Sequence, residues 1–301
     1  MTNDADKKAE IIAHYNDVAA TYDQQYDPAN LYTLEKYPAN YFRLQNLLTR
    51  LMDSDAKRIY EVGTGEGTPI TAMAKAGFEV AGCDISENMV DATRNKMEES
   101  GFDPHTCQIA DIENASSFSN QLTGGQFDAL IAFGVLPHVI DDVLALKNMH
   151  SIVHSGGKVF IEFRNKLFSL FTLNRNTKEF FMDDLLDGID CQVRDAVAQD
   201  LDTRLALEMP PRRLQSARGE LGYDAIQAKF HNPFTIPTLF DEAGLKNLVF
   251  HWYHFHAAPP MLESDIGAGF RQESIKLEGR TDDWRGFFLC SAGVIEADVC
   301  D

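Results

Sequence analysis

Cysteine is scarce in this chain of 301 residues, and the spacing typical of a zinc or redox site is missing. The 5 cysteines are dispersed, and no two of them form a C-x-x-C motif. Free thiols of this kind suit a reducing compartment. We therefore expect a cytoplasmic protein without a metal centre.

Long apolar runs and a surplus of basic residues are also absent. No stretch of 18 apolar residues occurs, and the opening run MTNDADKKAE has no apolar segment of the signal-peptide type. The 27 lysines and arginines are outnumbered by 46 aspartates and glutamates, which gives a net charge of -19. Such a surface repels nucleic-acid phosphates and anionic lipids. The sequence predicts a soluble protein that binds neither nucleic acid nor membrane.

An alternation of strand-sized and helix-sized segments is present from about residue 57 onward. Short apolar runs such as RIYEV and FEVAGCD are separated by amphipathic stretches such as PITAMAKAG and ENMVDATRNKMEES. This order is typical of βαβ units and a parallel sheet. Two helices are predicted before the sheet, over residues 4–22 and 35–52.

The alternation is interrupted over residues 164–232, a region rich in Phe, Leu, Asp and Arg. We expect a mostly helical insertion there, after the fifth strand. A helix over residues 235–243 and two strands, in LKNLVFHWYHFH and WRGFFLCSAGVI, complete the sheet. The predicted organisation is an N-terminal helical lid (1–55), a core (56–163 and 234–301) and a helical cap (164–233).

Three glycines spaced by two, Gly63, Gly65 and Gly67, follow the RIYEV segment in the run YEVGTGEGTP. Glycine lets the main chain adopt positive φ angles and lets a ligand lie against it. A dinucleotide fingerprint would place the third glycine three residues after the second, and a P-loop would end in Gly-Lys-Ser/Thr. Neither pattern is present, and Glu66 would disfavour a pyrophosphate. Glu61, before the first glycine, suits a ligand with a positively charged amine.

These residues resemble the first motif of the class I S-adenosylmethionine-dependent methyltransferases, an acidic and a hydrophobic residue followed by Gly-x-Gly-x-Gly. Further matches follow in order from residue 59 to 163: FEVAGCDIS, HTCQIADIE, FDALIAFGVLPHV and GGKVFIEF. The resemblance implies an α/β fold, a Rossmann-like seven-stranded sheet of order 3-2-1-4-5-7-6 with strand seven antiparallel. It also implies S-adenosyl-L-methionine as cofactor and S-adenosyl-L-homocysteine as product.

The resemblance further implies a cofactor site at the carboxyl ends of the strands. Asp84 would accept hydrogen bonds from the ribose hydroxyls, and Asp111 would lie near the adenine amino group. Phe133 and Gly134 would lie beside the methionine moiety. The expected cofactor-binding residues are Glu61, Gly63, Thr64, Gly65, Gly67, Asp84, Ile85, Met89, Asp111, Ile112, Phe133, Gly134 and Tyr22.

Methyl transfer is an in-line displacement at an activated sulfonium, so the protein chiefly aligns the acceptor and excludes water. A base is needed when the acceptor keeps its proton near neutral pH, as a hydroxyl does. His138, past the fourth strand, is the best-placed candidate base, with a role in shaping the pocket as the alternative. Arg164 would bind a substrate carboxylate or form a salt bridge to the acidic insertion. Tyr15 would close the pocket or direct its hydroxyl at the donor methyl group, with packing in its helix as the alternative.

Four further residues are candidates for contacts with the acceptor: Asn165, His254, His256 and Arg212. Asn165 follows the fifth strand, and His254 and His256 face the same side of a predicted strand. His251 faces the other side, so the HWYHFH run does not predict a metal site with three histidine ligands. Arg212 lies in the predicted cap, where a solvated position is the alternative.

The sequence therefore predicts a methyltransferase for a small polar metabolite such as an amino acid, hydroxy acid or sugar derivative, with an O, N or S acceptor. FGVLPH stands where the family's amide-nitrogen enzymes have an N-P-P-Y-type run, which argues against such acceptors. The aromatic insertion suits a cap over a small pocket or a homodimer interface. A binding protein without turnover and an enzyme with non-methyl chemistry remain as alternatives. The glycine spacing disfavours an NAD-dependent oxidoreductase.

Overall fold

A computed structural model of the protein describes residues 3–19, 22, 26–33, 36–215 and 219–300. One seven-stranded sheet forms its centre. The strands are β1 (Arg58–Val62), β2 (Glu79–Asp84), β3 (Cys107–Ile109), β4 (Phe127–Ala132), β5 (Val153–Arg164), β6 (Leu245–Phe255) and β7 (Cys290–Val299). Their order is β3-β2-β1-β4-β5-β7-β6; the first five strands pair in parallel, and β7 is antiparallel to β5 and β6. The predicted fold is confirmed.

Helices pack on both faces of the sheet. The helices before β5 are α1 (Asp4–Val18), α2 (Asn30–Thr33) and α3 (Ala39–Met52) in the N-terminal segment, and α4 (Thr68–Lys75), α5 (Glu87–Glu99) and α6 (Asp142–Ile152) between the strands. On β1, Ile59 and Tyr60 belong to different apolar clusters, since neighbouring side chains of a strand point to opposite faces. Leu47 of α3 and Met73 of α4 join the Ile59 cluster, and Met149 of α6 joins the Tyr60 cluster. Strands buried on both faces are typical of parallel sheets, and their carboxyl ends share one edge.

The N-terminal helices are shorter than predicted. The first ends at Val18, so Tyr22 lies beyond it. The second begins at Ala39, after Pro38, and not at residue 35. The residue before a proline avoids helical φ and ψ angles, so α3 cannot extend back through Tyr37.

The insertion after β5 is less helical than predicted. It contains α7 (Ser169–Thr172), α8 (Arg175–Phe180), a π-helical turn (Phe181–Leu185) and α9 (Cys191–Arg204). Residues 205–215 and 219–232 form turns, isolated bridges and one 3-10 turn at Tyr223–Ala225. Prolines at 210 and 211 oppose a regular helix in the first of these segments.

The C-terminal part confirms one predicted helix and corrects one strand boundary. Helix α10 covers Ile236–Glu242, and between β6 and β7 lie α11 (Glu263–Ile266), α12 (Ala268–Ile275) and α13 (Gly286–Leu289). The WRGFFL part of the predicted last strand is therefore largely helical. Gly286 makes this turn fit, because a Cβ there would lie 2.1 Å from the Trp252 ring. Within the described residues, every helix is too short or too polar to cross a membrane.

Candidate functional site

A cavity lies at the carboxyl ends of β1 to β4, between the loops that follow these strands and helix α1. It encloses about 940 Å³ of space free of atoms, part of which is open to solvent. Tyr15 and His138 contribute to its wall, whereas Gly67 does not. The other expected cofactor residues that line it are Glu61, Gly63, Thr64, Gly65, Asp84, Ile85, Met89, Asp111, Ile112, Phe133, Gly134 and Tyr22.

The glycine loop after β1 turns with positive φ at Gly63, Gly65 and Gly67, at 72°, 56° and 88°. A Cβ at Gly63 would lie 2.4 Å from Cγ2 of Val135, and one at Gly67 would lie 2.8 Å from Cα of Thr93. At Gly65 the nearest atom would be 3.8 Å away. Gly63 and Gly67 therefore allow the loop to pack closely, while the main chain at Gly65 stays open to the cavity.

Glu61 is a buried carboxylate without a partner. It is 1% exposed, and neither side-chain oxygen has a hydrogen-bond partner among the described residues. Burial raises the pKa of this carboxyl well above its usual range. A buried carboxylate is unfavourable unless another group satisfies it. Because Glu61 lines the cavity, a ligand with an ammonium group would pair with it.

Asp84, the last residue of β2, is fixed against the glycine loop. The amide of Gly65 donates to its Oδ2 at 2.9 Å, and the amide of Ser86 donates to its Oδ1 at 2.9 Å. Burial raises the pKa of Asp84 to about 6. Each oxygen has a second lone pair, so the carboxylate can also accept the hydrogens of two ribose hydroxyls.

Helix α1 closes over the cavity through residues that sequence analysis missed. Lys8 donates to Oδ2 of Asp111 at 2.7 Å and forms an ion pair with Oε2 of Glu113 at 3.1 Å. Ser86 Oγ donates to Oδ1 of Asn16 at 2.6 Å, which joins the helix to the start of α5. Nothing in the local sequence marks Lys8 for this role, because only the docking of α1 brings it to Asp111.

Tyr15 and His138 meet at another end of the cavity wall, about two turns further along α1 than Lys8. Tyr15 Oη lies 2.8 Å from Nε2 of His138, and Nδ1 lies 2.7 Å from the carbonyl oxygen of Gln227. A carbonyl only accepts, so Nδ1 carries the hydrogen and Nε2 accepts from the tyrosine hydroxyl. Burial lowers the pKa of His138 to about 4 and raises that of Tyr15 well above its usual range. Both groups are therefore neutral near pH 7.

A buried ion pair lies beside this end of the cavity. Arg43 of α3 pairs with Glu162 of β5, donates to the hydroxyl of Tyr26 at 2.7 Å and lies 4.4 Å from the ring centroid of Phe133. Sequence analysis missed the pair. A signal was available, because Arg43 occupies the four-residue spacing of the buried face of α3, between Ala39 and Leu47.

Arg164, at the end of β5, lies beyond the lining of the cavity. Its Cζ is 4.5 Å from the ring centroid of Tyr223, whose ring meets the His138 ring edge-on at 5.8 Å. Arg164 Nε and Tyr223 Oη are buried without hydrogen-bond partners among the described residues. Within those residues, no carboxylate of the insertion pairs with Arg164, so the salt bridge considered as an alternative is not formed.

Asn165 lies outside the cavity and serves the fold. It is 2% exposed, and its amide nitrogen donates to the carbonyl oxygens of Phe287 and Cys290, each at 2.8 Å. Its Oδ1 accepts from the amide of Leu167 at 3.1 Å. Both amide hydrogens are used in this way, so the predicted contact with an acceptor has no free donor.

His254 and His256 also lie outside the cavity, although their rings are only 4.6 Å apart. The His254 ring stacks on Tyr37 at 5.0 Å, and burial lowers the pKa of His254 to about 4. His251 pairs with Glu296 at 2.9 Å. Among the described residues, no group of three or more His, Cys, Asp or Glu side chains could hold a metal ion.

Arg212, the remaining predicted acceptor residue, is exposed and outside the cavity lining. It lies in the irregular part of the insertion, next to Arg213, whose guanidinium pairs with Asp224. The solvated position, considered above as the alternative, is the one that the structure has.

The sequence of the sheet region matches a known family. Residues 60–161 match the model described as a methyltransferase domain. This segment belongs to the methyltransferase family. The resemblance to the class I S-adenosylmethionine-dependent enzymes, predicted from the glycine loop and the motifs after it, is thus confirmed.

Curated relatives match the methyltransferase domain over part of their length. The chain is 31% identical over 126 residues, 42% of its length, to ubiquinone biosynthesis O-methyltransferase of Aeromonas salmonicida (strain A449). It is 31% identical over 125 residues to the protein of that name from Coxiella burnetii (strain Dugway 5J108-111), 41% of the chain. Each match covers 47% of the relative, so the chain spans about half the length of these relatives.

Solved structures of other proteins share the fold over nearly the whole chain. Magnesium protoporphyrin IX methyltransferase of Synechocystis PCC 6803, with bound S-adenosylhomocysteine, has a TM-score of 0.53 at 15% identity, over 97% of this chain and 99% of that one. An S-adenosylmethionine-dependent methyltransferase from Clostridium acetobutylicum ATCC 824 has a TM-score of 0.54 at 10% identity, over 95% and 99%. At these identities the likeness concerns the fold.

Proposed function

We propose that the protein is an S-adenosylmethionine-dependent methyltransferase that acts on a hydroxyl group of a small molecule. The observation that carries this proposal is the neutral pair of Tyr15 and His138 in the wall of the cavity. A hydroxyl must lose its proton when it is methylated, and this pair can receive it. A thioether acceptor has no proton to lose and would not need such a pair.

The cavity residues fit the cofactor at three positions. The open main chain at Gly65 admits a ligand, the partnerless carboxylate of Glu61 suits the ammonium group, and Asp84 has lone pairs for the ribose. The bound S-adenosylhomocysteine of the Synechocystis neighbour and the O-methyltransferase names of the curated relatives agree with this assignment. The cofactor would supply a methyl group on an activated sulfonium.

In the proposed reaction, Tyr15 takes the proton of the acceptor hydroxyl while its own hydrogen passes to Nε2 of His138. With the cofactor bound, the acceptor oxygen would form the new bond to the methyl carbon, and the electron pair of the carbon–sulfur bond would stay on sulfur. His138 becomes an imidazolium whose Nδ1 hydrogen remains on the carbonyl of Gln227. Because the sulfonium loses its charge, this new positive charge leaves the total charge of the site unchanged.

We also propose that the lid over residues 1–55 and the cap over 164–233 act as units that enclose the reactants. His14 Nδ1 of α1 lies 2.8 Å from the carbonyl oxygen of Leu221 in the cap, and His138 bonds to Gln227, also in the cap. These contacts join both segments to the part of the cavity wall that contains Tyr15 and His138, which we call the acceptor end. Enclosure of this kind excludes water from the transfer.

The test begins with the wild-type protein, S-adenosylmethionine and a pool of small metabolites. Release of S-adenosylhomocysteine and a product heavier by one methyl group, both followed by mass spectrometry, are expected. Binding of S-adenosylhomocysteine without any release from a broad pool would favour a binding protein. A different mass change would favour non-methyl chemistry.

Two variants then test the proton-accepting pair. Tyr15→Phe and His138→Gln should each lower kcat by a factor on the order of 10² or more, with S-adenosylhomocysteine affinity changed only a few-fold. Tyr32→Phe is the matched control for the tyrosine, since Tyr32 is 86% exposed. Parallel losses of kcat and cofactor affinity would instead assign the pair a role in shaping the pocket.

A further inference from the structure

We propose that the acceptor carries a carboxylate and that Arg164, seated on the ring of Tyr223, binds it. This inference rests on the methyltransferase function proposed above and names the class of its substrate. Arg164 is half-buried, its Nε is enclosed without a partner, and no described carboxylate forms an ion pair with it. A guanidinium removed from water without a counter-charge is unfavourable, which points to a charge supplied by a ligand.

The contrast with Arg43 supports this interpretation. Arg43 reaches the same region of the molecule from α3, and its charge is balanced by Glu162. Three cations on the adjoining segments have carboxylate partners, Lys166 with Asp184, Arg213 with Asp224 and Lys229 with Asp142, and Arg212 is exposed to water. In this neighbourhood of the described chain, Arg164 is left with one uncompensated positive charge. One positive charge matches the single negative charge of a carboxylate better than a doubly charged phosphate.

Tyr223 places the unpaired arginine close to the proton-accepting pair. Its ring lies 4.5 Å from Cζ of Arg164 and contacts the ring of His138 at 5.8 Å. Its hydroxyl is buried without a partner in the described part of the chain and would donate a second hydrogen bond to the carboxylate. Arg213, held by Asp224, lies 4.9 Å from the same ring and limits its movement. The methyl-accepting hydroxyl and the carboxylate of the substrate would thus lie about one aromatic ring apart.

The net charge of the protein bears on how a small anion could be held in the site. A chain with a net charge of -19 repels anions over the range of the screened field. A small carboxylate therefore needs a local cation to stay in the site. The planar fork of an arginine binds both carboxylate oxygens at once, which orients the substrate as well as attracting it.

The first experiment separates the acceptor pool by charge. A small-molecule cell extract is passed over an anion exchanger at pH 7, and both fractions are incubated with S-adenosylmethionine and the wild-type protein. We expect at least tenfold more S-adenosylhomocysteine release with the retained fraction, and a methylated product whose precursor contains a carboxylate. An acceptor in the unretained fraction, or one whose acidic group is a phosphate or sulfate, would overturn the inference and leave the methyl transfer standing.

Failure of the proposed function has a different signature. If S-adenosylhomocysteine binds but neither fraction supports its release, methyl transfer fails and the carboxylate site fails with it. The two results are therefore distinguishable in one assay.

Variants test Arg164 and Tyr223 through a dilution series of the retained fraction. Arg164→Gln should raise the half-saturating concentration at least tenfold with a smaller change in kcat, and Arg164→Lys should recover part of the loss. Tyr223→Phe should raise it about threefold, as expected for one lost hydrogen bond. Arg204→Gln is the control, because Arg204 is exposed on α9 and pairs with Asp200 on the same helix.

Affinity for S-adenosylhomocysteine reports whether each variant is folded. It should stay within twofold in all four proteins, since none of the substituted residues lines the cavity. An Arg164→Gln protein with wild-type affinity for the acceptor and for S-adenosylhomocysteine would overturn the inference. So would an Arg164→Gln protein that loses both affinities in parallel.

Discussion

The two ends of the cavity are built in different ways. At the end proposed for the cofactor, Gly65, Asp84 and Asp111 lie at or just after the carboxyl ends of parallel strands, and the two aspartates bond to neighbouring main chain. At the acceptor end, Tyr15 and His138 come from segments far apart in the chain, and both depend on the docking of other segments. The geometry of the first end follows from where the strands end, and that of the second depends on how distant segments dock.

The ends also differ in the charge that each leaves unpaired. Among the described residues, Glu61 at the proposed cofactor end has no hydrogen-bond partner for its carboxylate, and Arg164, beyond the acceptor end, has none for Nε and no ion pair. The structure is therefore complementary to a cation on one side and to an anion on the other. Substitutions can change either half of this arrangement separately.

The largest effect is expected from the glycine loop. The variant Gly67→Ala places a Cβ 2.8 Å from Cα of Thr93 on a residue with a left-handed φ of 88°. Because the steric contact and the backbone strain add up, the free energy of unfolding should fall by about 3 kcal/mol. Cofactor binding should weaken as well. Gly101→Ala is the matched control, with a φ of 81° and no atom within 4 Å, and should lose only about 1 kcal/mol. Urea unfolding measures both. Equal losses of unfolding free energy in the two variants would show that the close contact between Gly67 and Thr93 of α5 does not add to the cost of the substitution.

Glu61→Gln should change stability and binding in opposite directions. Burial holds the pKa of Glu61 above its unfolded value, so the stability of the unliganded protein falls as pH rises above the unfolded pKa near 4.5. The variant lacks this loss and should be more stable than wild type at pH 7. Its affinity for S-adenosylmethionine should fall by a factor on the order of ten.

Thermal unfolding across pH and calorimetric titration measure these two effects of the Glu61 substitution. Glu79→Gln is the control, because Glu79 is largely exposed and paired with Arg58. A Glu61→Gln protein that is less stable than wild type at pH 7 would contradict the assignment of Glu61 as an unsatisfied carboxylate.

Asp84 should make cofactor binding depend on pH. Its pKa is about 6 in the unliganded protein, and a carboxylate that accepts two ribose hydroxyls must be ionised. Affinity for S-adenosylhomocysteine should therefore be constant above this pH and fall by up to about tenfold below it, where the carboxyl is neutral. Asp84→Asn should bind about tenfold more weakly at pH 8 and lose most of the dependence. Parallel titration curves for the two proteins between pH 5 and 8 would exclude Asp84 as the group responsible.

The smallest effect is expected at the contact of α1 with the sheet. Lys8→Gln removes a partly exposed ion pair with Asp111 and Glu113, and should weaken S-adenosylhomocysteine binding by a factor of about two to five. The difference from wild type should shrink at high salt because the pair is screened. Lys7→Gln, which removes only a pair with Asp4, should bind as wild type does at every salt concentration. A difference that is independent of salt would mean that Lys8 acts through packing.

The sequence predicted the place of some residues in the candidate site and missed or misplaced others. His138 stands out because it follows a buried strand, and Tyr15 because it lies in a helix before the sheet. Tyr223 carries no comparable signal, since it lies in an irregular segment. Asn165 has the right position for a substrate contact, but main-chain groups from other segments use its amide.

The sequence by itself determined the alternation of strands and helices, and its resemblance to the methyltransferases supplied the sheet order and the expected cofactor residues. Strand periodicity, the positive φ of Gly63 and Gly65, and an acid at the end of a strand are local properties, and parallel strands then bring them to one edge. Only the tertiary structure decided the acceptor end. There, Tyr15 meets His138 and Tyr223 meets Arg164 across long stretches of chain, and such pairs depend on how α1 and the insertion dock, which no local pattern encodes.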